Sequence, residues 1–337
     1  MDTELRKKLL RDMLFARRFE EQCYQDYQVR KIGGFLHLYP GQEACAHGVM
    51  AAARPGEDYV ITGYRDHVHA LLCGVTPKAV MAELYGKATG CSKGFGGSMH
   101  LFSAEHRFMG GYALVGGPFP LAAGLGMALD MKGEDAIAIC FLGDAANNQG
   151  TFHETMNMAA VWELPTLFVC ENNLYGIGTS IERSTAELDQ YKRVAAYNIP
   201  ADHTDGQDIE AVYAAAKKAV DFVRTERKPY FLELKTYRFR GHSMSDGGAY
   251  RSKEEVEEWR KKDPIEVLKD RLIASGDLTE DEFQGWDDAI LSEIEDEIVP
   301  FAEESPEPDP ADLTRYVLVE DDPWVHGGPD NAQNGGN

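Results

Sequence analysis

The runs AIAICFLGDAANNQG at residues 136–150 and TLFVCENNLYG at residues 166–176 determine the predicted fold. Each begins with consecutive, mainly apolar residues and ends in acidic, amide and glycine residues. Uninterrupted apolar runs of this length are typical of strands that are buried on both faces of a parallel sheet. The helical stretch 151–162 between them supplies the crossover that parallel neighbours require. We therefore expect two adjacent parallel strands whose carboxyl ends carry polar side chains.

The alternation of helices and strands continues beyond these two runs. The helical stretch LAAGLGMALDM at 121–131 precedes them, and a helix at 208–224 and the strand-like YFLELKT at 230–236 follow. This order indicates an α/β fold with a doubly wound parallel sheet flanked by helices. Ligands bind at the carboxyl ends of the strands in such sheets, so the polar residues there are the first candidates for a site.

The chain is predicted to have three parts. Residues 1–32 form an N-terminal helical arm, because apolar residues recur at helical spacing over 3–30. Residues 33–300 form the α/β domain, in which the glycine- and histidine-rich stretch 33–118 suggests loops crossing a site more than a regular core. Residues 301–337 are an acidic, proline-rich extension, and its tail HGGPDNAQNGGN is predicted to be disordered because it has little apolar content.

The composition argues against several classes of protein. With 56 acidic and 34 basic residues the formal charge is −22, which disfavours a nucleic acid or an anionic membrane as partner. No apolar run approaches the roughly 18 residues of a membrane span. The 6 cysteines include no CxxC pair, which predicts a reducing, cytoplasmic compartment. We therefore expect a soluble, acidic enzyme.

Oxygen-bearing side chains at two strand ends predict a cation site. Asp144 and Asn173 are separated by about one strand–helix–strand crossover, so their side chains can converge. A carboxylate, an amide oxygen and one backbone carbonyl make an incomplete Mg²⁺ shell, which phosphate oxygens and a water would complete. Flanking glycines and the start of the next helix offer N–H groups to the same phosphates. The pair therefore predicts a site that binds a metal together with a phosphate.

The GDAANNQG run followed at this distance by NN resembles the thiamine-diphosphate motif of the α subunits of 2-oxo acid dehydrogenases. The resemblance covers about residues 5–320. It implies that Asp144, Asn173 and the carbonyl of Tyr175 hold Mg²⁺. One position departs from the motif, since Ala145 replaces its second glycine. Alanine keeps the backbone N–H, so we expect binding to be retained unless the position needs a positive φ.

Other stretches extend the resemblance around the cofactor. The Tyr64–Arg65 pair in ITGYRDH resembles a pair that binds the diphosphate, and an arginine fork suits phosphate oxygens. GGYALVGGPFPLAAG at 110–124 resembles a segment whose backbone cradles the aminopyrimidine ring. The cofactor-binding residues implied in this way are Tyr64, Arg65, Ala113, Val115, Gly116, Gly143, Asp144, Ala145, Ala146, Asn173, Tyr175 and His242.

Two histidines match family positions near the reacting carbon and the diphosphate. His37 in GGFLHLYPGQEA and His242 in YRFRGHSMSD lie in polar, glycine-flanked loops, and imidazoles can move protons near neutral pH. The resemblance implies that both are catalytic. Residues 238–251 resemble a loop that closes over the cofactor and is phosphorylated in some members. Ser243 is the matching hydroxyl, whereas the second familiar hydroxyl position is Ala249.

The resemblance also implies a reaction and its partners. Thiamine diphosphate and Mg²⁺ would serve the oxidative decarboxylation of a 2-oxo acid, and the acyl group would pass to the lipoyl group of an acyltransferase component. The cofactor-activating glutamate would come from a β subunit in an α₂β₂ heterotetramer, because this chain shows no pyrimidine-binding domain. The segments YRFRGHSMSDGGAYR and GDAANNQG are closer to the pyruvate branch than to the branched-chain branch, and acetoin-cleaving relatives are a further alternative.

Two other classes fit the sequence less well. A nicotinamide-dependent Rossmann dehydrogenase needs GxGxxG between a strand and a helix, whereas GLGMAL at 124–129 has two of the three glycines and lies inside a predicted helix. A non-enzymatic scaffold that has lost its cofactor is suggested only by Ala145, since the other motif residues are present. Nicotinamide binding would favour the first class. Failure to bind Mg²⁺ and thiamine diphosphate, even with the β chain, would favour the second.

Overall fold

A parallel sheet of six strands forms the centre of the protein in the computed structural model, which describes residues 1–316. The strands, including a short antiparallel pair, are β1 (Tyr59–Gly63), β2 (Phe108–Tyr112), β3 (Ala138–Gly143), β4 (Thr166–Asn172), β5 (Tyr175–Gly176), β6 (Thr179–Ser180), β7 (Ala201–Asp205) and β8 (Tyr230–Lys235). The helices are α1 (Thr3–Gln28), α2 (Glu43–Ala52), α3 (His67–Cys73), α4 (Pro77–Leu84), α5 (Pro118–Lys132), α6 (Gly150–Val161), α7 (Ile181–Ser184), α8 (Gln190–Arg193), α9 (Ile209–Glu226), α10 (Lys253–Arg260), α11 (Pro264–Ser275), α12 (Glu280–Glu293) and α13 (Val299–Glu304). The sheet order is β2-β1-β3-β4-β8-β7, so the predicted doubly wound parallel sheet is confirmed.

The central strands β3, β4 and β8 are buried along almost their whole length. Their alternate side chains enter two apolar layers, because successive residues of a strand face opposite sides of the sheet. Ile139, Val169 and Leu232 pack in the layer that contains α1, α2 and α9. Cys140 and Phe168 pack in the other layer, with α5 and α6. Helices therefore cover both faces, and the loops at the strand ends are left to form a site.

The strand order reverses beside β1. The chain passes from β1 to β2 on one side of this strand and returns to β3 on its other side. The loops that follow β1 and β3 therefore leave the sheet in opposite directions. They open a crevice at the carboxyl ends of these strands, which is where ligands bind in doubly wound sheets.

Residues 33–118 are more regular than the sequence suggested. They contain α2, β1, α3, α4 and β2 rather than mainly loops. Both strands have only 5 residues, and the glycines of FMGGY obscure the strand pattern of β2. The irregular part of this segment is organised by Glu83, whose buried carboxylate accepts hydrogen bonds from four backbone N–H groups between residues 92 and 97. A buried carboxylate needs hydrogen-bond donors, and the four bonds that supply them hold the glycine-rich loop in one conformation.

The two ends of the described chain pack on the domain. The predicted N-terminal helix is confirmed as α1, and its apolar stripe is buried against α2, α11 and α12. After α13 the chain continues to a 3₁₀ turn at Pro310–Thr314. The predicted disordered tail lies outside the described residues, and the division into three parts stays a prediction. Within residues 1–316, no helix combines the length and the apolar character that crossing a membrane requires.

Candidate functional site

A cavity of about 750 Å³ opens at the crevice beside β1. Its walls come largely from residues that follow β1, β2, β3, β4 and β8, and its size suits a small molecule or a cofactor. The predicted site residues that line it are His37, Tyr64, Arg65, Ala113, Val115, Gly143, Asp144, Ala145, Ala146, Asn173, Tyr175 and His242. Gly116 is the one predicted residue outside this lining. It follows Val115 directly and has a φ of 84°, a conformation that favours glycine.

Asp144 and Asn173 lie next to each other at the ends of β3 and β4. The Asp144 carboxylate accepts a hydrogen bond of 3.2 Å from the backbone N–H of Asn173. Asn173 Oδ1 is buried and receives no hydrogen bond from the described residues, which is a costly state for a polar atom. Both residues line the cavity, so a divalent cation there would satisfy the amide oxygen. The pair fits the predicted Mg²⁺ site.

The Asp144 carboxylate is buried, and its pKa reflects that burial. Burial raises the pKa of Asp144 to about 6, although the positive charge of Arg238 opposes the shift. A cation beside the carboxylate would lower that pKa again. Arg238 also donates a hydrogen bond of 3.2 Å to the carbonyl of Tyr175. A carbonyl oxygen has two lone pairs, so one remains for the metal.

Ala145 stands where the family motif has glycine. It lies in a 3₁₀ turn, Asp144–Asn148, and is not among the described residues with a positive φ. Alanine therefore causes no backbone strain at this position. Its methyl group occupies the space beside Gly176, because a Cβ atom added at Gly176 would lie 2.6 Å from that of Ala145. The alanine thus limits which residue can follow Tyr175.

Two buried guanidinium groups place positive charge in the cavity wall. Arg65 donates to the carbonyl of Leu38 and, at 2.9 Å, to the carbonyl of His242. Arg238 donates to the carbonyl of Tyr175, and neither guanidinium forms an ion pair with any described residue. Burial lowers the pKa of Arg65 to about 10, and the charge of Arg238 adds to this effect. Neither charge is in salt-bridge contact with a carboxylate, so the two guanidinium groups favour an anion such as a diphosphate in the cavity.

His37, Tyr64 and His242 form a cluster of rings in the cavity wall. The ring centre of His37 lies 4.6 Å from that of Tyr64 and 5.1 Å from that of His242. Burial, followed by the charge of Arg65, lowers the pKa of His37 to about 2 and that of His242 to about 3. Both imidazoles are therefore neutral near pH 7. Arg238 donates to Nδ1 of His242 at 3.2 Å, so the neutral ring carries its proton on Nε2.

The segment 238–251 is held in place by Asp246. Its carboxylate accepts hydrogen bonds from the backbone N–H of His242 at 2.7 Å and from the hydroxyl of Tyr250 at 2.8 Å. Ser243, the hydroxyl that matches a phosphorylated family position, is buried, and its Oγ is hydrogen-bonded within the loop. Phosphorylation of Ser243 would therefore require the loop to open.

Some residues of the site were not predicted. Glu171, at the end of β4, lines the cavity and accepts a hydrogen bond from the hydroxyl of Tyr39. Gln42 accepts a hydrogen bond from the side chain of Asn173, and Phe35 lines the cavity while remaining 62% exposed. Glu171 precedes the NN pair directly, which is a signal that could have identified it. The sequence gives no comparable signal for Gln42 or Phe35.

Comparison with known proteins adds an independent finding. The model of a family described as dehydrogenase E1 component matches residues 11–311. The pyruvate dehydrogenase E1 component subunit alpha of Rickettsia felis is 47% identical over 310 residues, which cover 92% of this chain and 94% of the relative. The protein of the same name from Rhizobium meliloti is 47% identical over 313 residues, covering 93% and 89%. That from Zymomonas mobilis is 48% identical over 319 residues, covering 94% and 90%.

Proposed function

Because the chain belongs to the dehydrogenase E1 component family, we propose that it is the α subunit of a pyruvate dehydrogenase. In this proposal it takes part in the oxidative decarboxylation of pyruvate and the reductive acetylation of a lipoyl group on the acyltransferase component, with thiamine diphosphate and Mg²⁺ as cofactors. One observation carries the cofactor assignment. The cavity is lined by two buried guanidinium groups that have no salt-bridge partner among the described residues, by the Asp144 carboxylate and by Asn173, whose Oδ1 receives no hydrogen bond.

The residues of the cavity have separate roles in this proposal. Asp144, Asn173 and the carbonyl of Tyr175 would hold Mg²⁺, and Arg65 would bind the diphosphate together with Tyr64 and His242. Backbone atoms of Ala113, Val115 and Gly116 would contact the aminopyrimidine ring. The bound thiamine diphosphate supplies the carbon nucleophile and electron sink that decarboxylation requires.

The two histidines would handle protons at the cavity wall. The neutral His242 carries its proton on Nε2, because Arg238 donates to its Nδ1, so Nε2 can donate a hydrogen bond to a substrate or cofactor oxygen. His37 Nδ1 is buried and has no hydrogen-bond partner among the described residues. With its lowered pKa this imidazole is a weak base, so the proposed proton transfer during acyl transfer requires a negative charge, such as that of the bound diphosphate, to raise the pKa.

The proposal includes a β subunit that completes the site in an α₂β₂ heterotetramer. Apolar side chains are exposed at or beside the cavity mouth, where Phe35, Leu114 and Ile177 are 62%, 74% and 64% exposed. They are also exposed at Leu121 in α5 and at Trp162 directly after α6. A helix that is apolar on all sides, as α5 is in PFPLAAGLGMALDMK, normally lies in an interior. A partner chain would cover these surfaces. We also propose a cytoplasmic location, where reducing conditions suit the six free thiols.

The test is to co-express the chain with its β chain and to follow CO₂ release from pyruvate and from 2-oxo-isovalerate with a dye acceptor. Mg²⁺ and thiamine diphosphate are supplied, and Asp144→Ala is the control because it removes the carboxylate of the metal site. Faster turnover of pyruvate that Asp144→Ala abolishes would support the proposal. A preference for 2-oxo-isovalerate would overturn the substrate, and absence of cofactor binding would overturn the proposed function as a whole.

A further inference from the structure

The amide of Asn173 presents two chemically different atoms. Only Oδ1 can bind a cation, whereas Nδ2 carries two protons and would repel one. The two ends of an amide have almost the same shape, so packing alone does not choose between them. In the structure Nδ2 donates a hydrogen bond of 3.1 Å to Oε1 of Gln42. Oδ1 is left without a hydrogen-bond donor among the described residues.

The backbone of Gln42 is held firmly, and the one side-chain hydrogen bond of the residue is the one that Oε1 accepts from Asn173, because Nε2 is buried without a partner among the described residues. The Gln42 side chain is 0% exposed. Its backbone N–H donates to the Tyr39 carbonyl at 3.2 Å, and its own carbonyl accepts from the N–H of Cys45 at 2.9 Å as α2 begins. These bonds fix the residue at the end of the turn from which α2 starts.

The preceding residue, Gly41, is anchored on both of its sides. Its N–H donates to Glu43 Oε2 at 2.9 Å, and its carbonyl accepts from Thr236 Oγ1 at 3.3 Å. Glu43 is itself paired with Arg17 of α1, at 2.5 Å. Gly41 has a φ of 100°, and a Cβ there would lie 2.3 Å from the Tyr237 carbonyl. The turn therefore sits directly against the chain that follows β8 and cannot move without breaking these contacts.

We propose that Gln42 is a positioning residue of the divalent-cation site. By accepting the hydrogen bond from Asn173 Nδ2 it fixes the amide so that Oδ1 is presented to the cation. Gln42 does not touch the metal, and it acts only through Asn173. The inference rests on the proposed function, because the cation site belongs to it. Partners that orient a metal ligand typically contribute about 10- to 100-fold in metal affinity.

The test uses Mn²⁺ as the probe and does not depend on turnover. The purified complex with the β chain, saturated with thiamine diphosphate, is titrated with Mn²⁺, and free Mn²⁺ is measured by electron paramagnetic resonance. Gln42→Met keeps the volume but removes the acceptor, and Gln42→Ala removes it with a different change in volume. Gln42→Glu retains an acceptor oxygen. We expect both Gln42→Met and Gln42→Ala to bind Mn²⁺ about tenfold more weakly and Gln42→Glu to bind at least as tightly as the wild type.

Gln207→Met is the matched control. Gln207 is also buried, and it hydrogen-bonds to Thr236 and to the Lys262 carbonyl but not to Asn173. We expect its Mn²⁺ affinity to stay within about twofold of the wild type.

Three outcomes would contradict the inference while leaving the proposed function intact. The first is Mn²⁺ binding by both Gln42→Met and Gln42→Ala that is as tight as in the wild type. The second is binding by Gln42→Glu that is as weak as in these two variants, and the third is the same loss of affinity in Gln207→Met. A wild-type complex that takes up no Mn²⁺ with thiamine diphosphate would instead overturn the proposed function.

Discussion

The contact between Ala145 and Gly176 leads to a prediction that tests the geometry of the site. In Gly176→Ala the new methyl carbon would start 2.6 Å from the methyl carbon of Ala145. Apolar carbons pack at roughly 3.5–4 Å, so about 1 Å has to be absorbed by moving β5 away from the 3₁₀ turn. Overpacking of this kind costs about 1–3 kcal/mol. Replacing glycine by alanine lowers the conformational entropy of the unfolded chain, which offsets about 0.4–1 kcal/mol of this loss of stability. We expect the free energy of unfolding to fall by about 1–2 kcal/mol.

The double variant Ala145→Gly/Gly176→Ala removes the clash and provides the decisive comparison. It should recover most of the lost stability, because the two methyl groups destabilise the chain only when both are present. Urea unfolding gives the stability, and titration with thiamine diphosphate in the presence of Mg²⁺ gives the affinity of the site. Affinity should fall in Gly176→Ala, since β5 carries the Tyr175 carbonyl, and recover in the double variant. Equal stability of Gly176→Ala and the wild type, or a double variant no better than Gly176→Ala, would refute the reasoning.

Three further predictions concern other parts of the molecule. Burial raises the pKa of Asp66 from 3.8 to about 8, so the contribution of Asp66 to stability is full below about pH 4 and is lost as the pH rises to about 8. Asp66→Asn should remove this decline in urea unfolding, and a variant with the pH profile of the wild type would disprove the prediction. Leu121→Asp and Trp162→Asp place a charge on exposed apolar surface and should weaken assembly with the β chain in light scattering. Val29→Asp, at a still more exposed apolar position directly after α1, should not, and similar effects of all three would count against the proposed interface. Arg17→Met leaves two buried carboxylates without their partner and should destabilise the chain by about 3–5 kcal/mol in urea unfolding, so a loss below about 1 kcal/mol would show that the ion pairs are dispensable.

The central strands could be predicted because their sequences carry a strong signal. AIAICFL and TLFVC are uninterrupted apolar runs, and the observed β3 and β4 are buried along almost their whole length. β7 lacks this signal, since ADHTD at the sheet edge contains only half-buried and exposed residues. β1 and β2 are short, and β2 contains two glycines. The order of the strands in the sheet could not be predicted either, because it depends on pairings between segments that are far apart in the chain.

The candidate site was predictable where a motif names the residue and not where distant segments meet. Asp144 and Asn173 follow two predicted strands, and the structure brings them together. The lowered pKa values of His37 and His242 could not be foreseen, because they arise from burial and from the charge of Arg65. A sequence identifies such residues but gives neither their depth nor the charges around them.

The wide separation of the site residues along the chain has a consequence for biosynthesis. His37 lies near the beginning of the described chain and His242 follows the last strand of the sheet, yet their rings are 5.1 Å apart. Chains emerge from the ribosome amino end first, so a nascent chain that stops before β8 can form early helices and strands but not the complete cavity. Contacts between such remote segments also form late, because closing long loops is slow. This chain can therefore bind its cofactor only after the whole sheet has been synthesised and folded.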